Sequence, residues 1–274
     1  MSFMDNIEIY KYTNINIYIY LYMLEHIKIN IKNIEKKQYQ TFNIKYSKKE
    51  EELINKIKKS KKFTFKGSYG LTLNGLYAWD SKINNFLSES LYNTESEIKE
   101  LTKIIKKIIK EFMNKTGKDS ALIHIRASQP NDWHDIPRWH QDGRYWGEKG
   151  VAMAKFVTVF KGPPTLLHPY KKKYMLKYIE DNEYIYFNMV KKNKPELEIR
   201  KETLRRRKKL SNIMNKREKS NFNSAYTFVN NEYATLHSEP AIDSERLFMA
   251  VLPGYKTDLA KLRANRRRTG KTCP

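Results

Sequence analysis

From residue 120 to about residue 252 the chain runs in short segments whose apolar residues recur at every second position, separated by turn residues. Ala121 to Ala127 sets Ile123 and Ile125 on one face and Leu122, His124 and Arg126 on the other. Ala154 to Lys161 reads as another strand and stops at Gly162-Pro163-Pro164. Residues 183–190 read as a further strand, followed by Ser224 to Val229, Tyr233 to His237 and Glu245 to Leu252. A single short strand leaves its backbone groups unpaired and one apolar face wet. Many of them in succession must therefore pair into a sandwich or barrel.

A helix covers that sheet. Thr94 and Glu97 have the spacing of a capping box, and Ile98, Leu101, Ile105, Ile108 and Phe112 form a stripe at helical spacing. The helix is expected from about Glu95 to Asn114, ending before Gly117. Lys48 to Lys59 reads as another helix, and Lys62 to Lys66 and Gly70 to Gly75 read as short strands. Ile7 to Tyr22 fits strand or helix, and residues 191–222 read as a long basic helical insertion. The fold class is mainly β with flanking helices, α+β. The expected divisions are 1–92, an α/β region of unassigned role packed on the core; 93–253, the core with its insertion; and 254–274, a basic tail.

The chain carries a formal charge of +23, which attracts polyanions. The excess is uneven: 191–219 hold 13 Lys/Arg against four Glu, and 254–274 hold seven against one Asp. Arg205 to Lys209 and Arg266 to Arg268 are the densest runs, and a contact with nucleic acid or an acidic partner through these two segments is one reading. Lys-rich sequence crowded with Ile, Asn and Tyr also arises from AT-rich coding, which makes solvated faces the plainer reading. Cys273 is the single cysteine, so no intrachain disulfide forms, in keeping with a reducing compartment. The apolar run Ile15 to Leu24 is broken by Asn16 and is too short to span a bilayer. The expectation is a soluble intracellular protein, cytoplasmic or nuclear, without a membrane partner.

The candidate chemistry begins at Arg138-Trp139-His140-Gln141-Asp142. On a strand, His140 and Asp142 point to one face. Six His and nine Asp in 274 positions give roughly 0.2 such pairs by chance, so the pair alone is weak. His237 on a later strand adds a second imidazole. Two His and one carboxylate are the ligand set of non-haem Fe(II) oxygenases, which leaves coordination positions open. Arg246 follows His237 by nine residues, and Arg246, Phe248 and Ala250 share one strand face. A guanidinium there suits a carboxylate bidentately. His134 is six residues before His140, about 20 Å along a straight strand, and is set aside as a ligand. Trp133, Trp139 and Tyr145 give the region apolar walls, and His124, Arg126 and Lys155 are further cavity candidates.

In this order, His140-x-Asp142, His237 and Arg246, with Phe160-Lys161-Gly162-Pro163-Pro164-Thr165 between them, resemble the Fe(II)/2-oxoglutarate-dependent oxygenases of double-stranded β-helix (jelly-roll, cupin-like) fold, in a poorly characterised branch. The resemblance spans about residues 120–253. It implies that His140, Asp142 and His237 hold Fe(II) and that Arg246 pairs with the distal carboxylate of 2-oxoglutarate, with Arg126 and Lys155 as further candidates. It also implies hydroxylation of a second substrate, with 2-oxoglutarate and O2 consumed and succinate and CO2 released. Many members carry Ser or Thr two residues after the arginine, where this chain has Phe248. The alternatives are a metal-dependent cupin that does not use 2-oxoglutarate and a non-catalytic basic nucleic-acid-binding protein on a jelly-roll scaffold. The substrate class stays open among protein, nucleic acid and small molecule.

Overall fold

The computed structural model describes residues 39–58, 69–72, 76–130, 137–141, 153–168, 184–214, 218–219, 224–230, 235–239, 244–257 and 259–261. The readings of Ile7 to Tyr22, Lys62 to Lys66, Trp133, His134, Asp142, Tyr145 and the tail beyond Lys261 lie outside them.

The helices come first. Helix α1 (Lys48–Asn55) opens with a reciprocal cap in which Ser47 N–H donates to Glu50 Oε2 at 2.6 Å and Glu50 N–H to Ser47 Oγ at 3.3 Å. Helix α2 (Leu76–Ser90) was not apparent in the sequence pattern. Helix α3 (Glu95–Thr116) carries the expected box: Thr94 N–H donates to Glu97 Oε2 at 2.9 Å, and Glu97 N–H to Thr94 Oγ1 at 3.3 Å. It ends where Gly117 takes φ 60°. Asn93 ties α1 to the start of α3, accepting from Lys58 N–H at 2.8 Å and donating to Lys56 O at 3.2 Å.

The strands are β1 (Tyr39–Asn43), β2 (Tyr69–Thr72), β3 (Ser120–Ser128), β4 (Arg138–Gln141), β5 (Met153–Lys161), β6 (Leu166–His168), β7 (Glu218–Lys219), β8 (Ser224–Asn230), β9 (Leu236–Glu239) and β10 (Arg246–Gly254). They form two sheets, β1-β8-β5-β10-β3-β2 and β4-β9-β6-β7. The pairing is nested: β3 with β10, β4 with β9, β5 with β8 and β6 with β7, all antiparallel. This is the connectivity of one long hairpin bent back on itself. Further antiparallel pairs, β10 with β5 and β6 with β9, close each sheet. Strands β1 and β2, from the first third of the chain, cover the two edges of the larger sheet.

The larger sheet turns one face to the helices. Ile98, Leu101, Ile105, Ile108 and Phe112 pack with Ile123, Ile125, Ala127, Phe156, Leu247, Met249 and Val251, joined by Ile83, Phe86 and Leu87 from α2. Phe112 stacks on Phe156 with centroids 4.4 Å apart, a pair worth about 1 kcal/mol beyond its buried area. Alternation then sends His124, Arg126, Val157, Phe248 and Ala250 to the opposite face.

Residues 184–191 are helical, α4, where a strand is expected from the sequence. Tyr184, Phe187 and Val190 recur every third residue and are exposed, so aromatic content suggested a strand where the spacing is helical. Asn193, at φ 50°, ends the turn after α4, and Pro195 begins α5 (Glu196–Ile213). The basic insertion expected at 191–222 is helical over α5, and strand β7 follows it within the same stretch. Among the described residues no helix is long and apolar enough to cross a membrane.

Candidate metal centre and carboxylate anchor

Register places the two histidines. Across β4, β9 and β6, His140 is the Cα partner of His237 and His237 of Leu167, while the next row is Trp139, Ser238 and Leu166. Residues in one row share a face. Packing settles which face is which. Trp139, Leu166 and Leu236 bury against Leu210, Ile213 and Met214 at the end of α5. Leu167 instead packs on Val157, Ala250 and Phe248 of the larger sheet. His140 and His237 thus stand on the face turned toward that sheet, and the basic α5 lies behind them.

The imidazole centroids are 4.2 Å apart, with the rings inclined at 54°. His140 Nδ1 lies 3.0 Å from Arg138 O, and His237 Nδ1 lies 2.9 Å from Thr235 O. A carbonyl oxygen only accepts, so these contacts assign the proton to Nδ1 in both rings and the lone pair to Nε2. The same carbonyls fix the ring orientation, as the supporting shell of a metal site does. His237 is 5% exposed and His140 half-buried. These rings suit a cation that takes imidazole nitrogen. Asp142, one residue past the end of β4, lies outside the described residues, and among those residues no group of three metal-binding side chains occurs.

Arg246 opens β10 and is 2% exposed. Its Nε donates to Pro163 O at 2.9 Å and its Nη2 to Thr165 Oγ1 at 3.0 Å. The guanidinium carbon stands 4.6 Å over the Phe248 ring, a cation–π contact. These bonds tie the larger sheet to the β5–β6 turn, which leads into the smaller one. Gly162 lets that turn pass. It takes φ +87°, and a Cβ there would come within 2.0 Å of Glu245 O and 2.8 Å of Arg246 Cα.

Arg126 and Lys155 reach the same face of the larger sheet by alternation. Arg126 is the Cα partner of Phe248, and Lys155 precedes Phe156, which belongs to the helix side. Both are half-buried. Thr165 enters the sequence reading only as the last residue of the Phe160–Thr165 motif, with no role of its own, and Pro163 O and Thr235 O do not enter it. Backbone carbonyls carry no residue signature, and Thr165 follows a Pro-Pro turn that reads as punctuation.

No family model matches the sequence, and no curated protein matches it. Solved structures do. A prolyl-4-hydroxylase of Pseudomonas putida is 8% identical over 82% of this chain and 90% of its own, with a TM-score of 0.33. The Kdo hydroxylase KdoO, a non-haem Fe(II) α-ketoglutarate-dependent dioxygenase solved with succinate and Fe(III), is 9% identical over 89% of each chain, with a TM-score of 0.40. A viral collagen prolyl hydroxylase of Paramecium bursaria Chlorella virus-1 is 15% identical over 79% of this chain and 88% of its own, with a TM-score of 0.34.

Proposed function

We propose that this protein is an Fe(II)- and 2-oxoglutarate-dependent dioxygenase that hydroxylates a second substrate. The observation that carries the reading is the His140–His237 pair: two imidazoles 4.2 Å apart, each with Nδ1 held by a carbonyl so that Nε2 offers its lone pair. The nested pairing of β3 through β10 in two sheets supports a double-stranded β-helix core. His140 and His237, with Asp142 as the third ligand, would hold the iron. The chemistry supplied when iron is bound is oxidative decarboxylation of 2-oxoglutarate. One oxygen atom of O2 enters succinate as CO2 leaves, and the other enters a C–H bond of the substrate.

The chain's own work is binding and orientation. Arg138 O and Thr235 O hold the imidazoles in one tautomer. Arg246, buried and aligned by Pro163 O, Thr165 and the Phe248 ring, presents a fixed cation to the distal carboxylate of the cosubstrate. Val157, Phe248, Ala250 and Leu167 keep the space between the sheets apolar.

The test is anaerobic titration with Fe(II) and then 2-oxoglutarate, following the visible metal-to-ligand charge-transfer band. The band should appear with wild-type protein and vanish in His140→Ala. Folded wild-type protein giving no band would sink the reading.

A second reading is a metal-dependent cupin without 2-oxoglutarate. It is favoured by the same Arg246 contacts, which also describe an arginine bracing a turn. Iron binding without a 2-oxoglutarate band would select it.

A further inference from the structure

We infer that the α4–α5 hairpin docks on an anionic lipid surface, with the outward aromatic face of α4 seated at headgroup depth and the lysines beside it on the phosphates.

Helix α4 is turned the opposite way from an ordinary surface helix. At 100° per residue, Ile185, Asn188 and Met189 share one side and are half-buried, while Tyr184, Tyr186, Phe187 and Val190 fall on the other and are exposed. Phe187 is 54% exposed, Val190 45%, and Leu197, in the first turn of α5, 63%. Grouped apolar side chains left in water mark a surface that meets something. The tip is also fixed in shape. Asn193, in the left-handed region, lets its own N–H donate to Val190 O at 3.0 Å and Lys194 N–H to Met189 O at 3.1 Å, the closure of a Schellman motif. Pro195 O then accepts from Glu198 and Ile199 N–H at 2.9 and 3.1 Å, starting α5.

Charge decides the occupant. From Lys191 to Lys209 stand ten Lys/Arg against three Glu, so a second copy docking here would set two basic helices against each other. Nucleic acid matches the charge, and Tyr and Phe stack on bases, but Val190 and Leu197 have no ring to stack. An anionic bilayer suits all of them. Phe187, Val190 and Leu197 enter the acyl boundary, tyrosines rest among headgroups, and Lys191, inside the aromatic arc, carries its ammonium out to a phosphate.

The hairpin stands clear enough for a flat surface to reach it. None of residues 184–209 is buried, whereas Leu210 and Met214 seat the far end of α5 on the smaller sheet, roughly 20 Å along the helix from Leu197. That is the face behind His140 and His237, so docking leaves the space between the sheets open. A peripheral contact of this kind stands against the expectation of no membrane partner, which rests on the lack of a spanning run and bears only on crossing a bilayer.

The experiment is co-sedimentation of the full chain with vesicles of phosphatidylcholine alone or with about one part in three phosphatidylserine, at about 0.15 M salt. Wild type should pellet with the anionic vesicles and not with the neutral ones. Phe187→Gln/Val190→Gln/Leu197→Gln keeps every charge and should bind at least about tenfold more weakly. Lys191→Gln/Lys192→Gln should lose roughly tenfold. Both variants should keep wild-type circular dichroism and Fe(II) affinity, since all five positions are exposed. If the triple variant does not fold, Phe187→Gln alone takes its place.

Wild type that stays in solution with anionic vesicles overturns the inference. So does a triple variant that pellets like wild type, because the charge of the whole chain would then suffice. Binding of a single strand of about 16 nucleotides that the triple variant loses, without vesicle binding, overturns it in favour of nucleic acid. A concentration-dependent dimer lost in the triple variant, again without vesicle binding, overturns it in favour of self-contact.

Discussion

His140 and His237 face each other as direct Cα partners on adjacent antiparallel strands, with ring centroids 4.2 Å apart and each Nδ1 anchored to the carbonyl two residues before it. Neighbouring strands lie about 5 Å apart, so this row brings together two imidazoles that are nearly a hundred residues apart in the chain.

Replacing either ring should remove the metal without unfolding the protein. His140→Ala and His237→Ala are each expected to lower Fe(II) affinity at least tenfold, checked by anaerobic equilibrium dialysis, with far-ultraviolet circular dichroism unchanged. A variant that keeps wild-type iron affinity would dismiss that histidine as a ligand.

Arg246→Lys keeps the charge but cannot reproduce the fork that bonds Pro163 O and Thr165 Oγ1. We expect it to weaken 2-oxoglutarate at least tenfold while leaving Fe(II) affinity within about twofold. Calorimetric titration of each ligand separates the two effects. Equal loss of both would indicate a general loosening of the sheets instead.

Gly162→Ala forces a Cβ into the backbone of Glu245 and Arg246 at a left-handed φ. The expected cost is at least about 2 kcal/mol in urea unfolding, the upper part of the range for local backbone strain. Stability equal to wild type would mean the turn has room to move.

Leu210→Ala removes the side chain that seats the end of α5 on Trp139, Leu166 and Leu236. Loss of a buried leucine costs about 2–5 kcal/mol. Since Trp139 and Leu236 are sequence neighbours of His140 and His237, Fe(II) affinity should fall with it. Retention of affinity would show the histidine strands to be held without α5.

Glu202 on α5 accepts from Arg205 and Arg206, and these bonds, Arg205 first, hold its carboxyl down to about 2 from an ordinary 4.5. Because the folded value is lowered, the stabilisation is complete above about pH 4.5 and is lost as pH falls from there through about 2. Glu202→Gln should cost about 0.5 kcal/mol at pH 7, as partly exposed pairs do, and match wild type near pH 2. Urea unfolding followed by circular dichroism at 222 nm across this range checks both ends.

By itself, the sequence determined what is local. The Thr94–Glu97 cap and the Ile98 to Phe112 stripe specified α3, and alternation set Ile123 and Ile125 apart from His124 and Arg126, because period and capping depend on near neighbours alone. It also singled out His140, His237 and Arg246 as candidates for one site. Aromatic content misled at 184–191, where spacing too short to outweigh composition forms a helix. Only the tertiary structure decided that β4 and β9 pair in the register that sets His140 against His237, since a slip of one residue would turn an imidazole to the α5 side. It alone brought Thr165 to Arg246, 81 residues away, through a turn whose glycine takes a conformation closed to other residues. Contacts of that kind depend on how two sheets close over each other, and no short-range pattern encodes the distance between them.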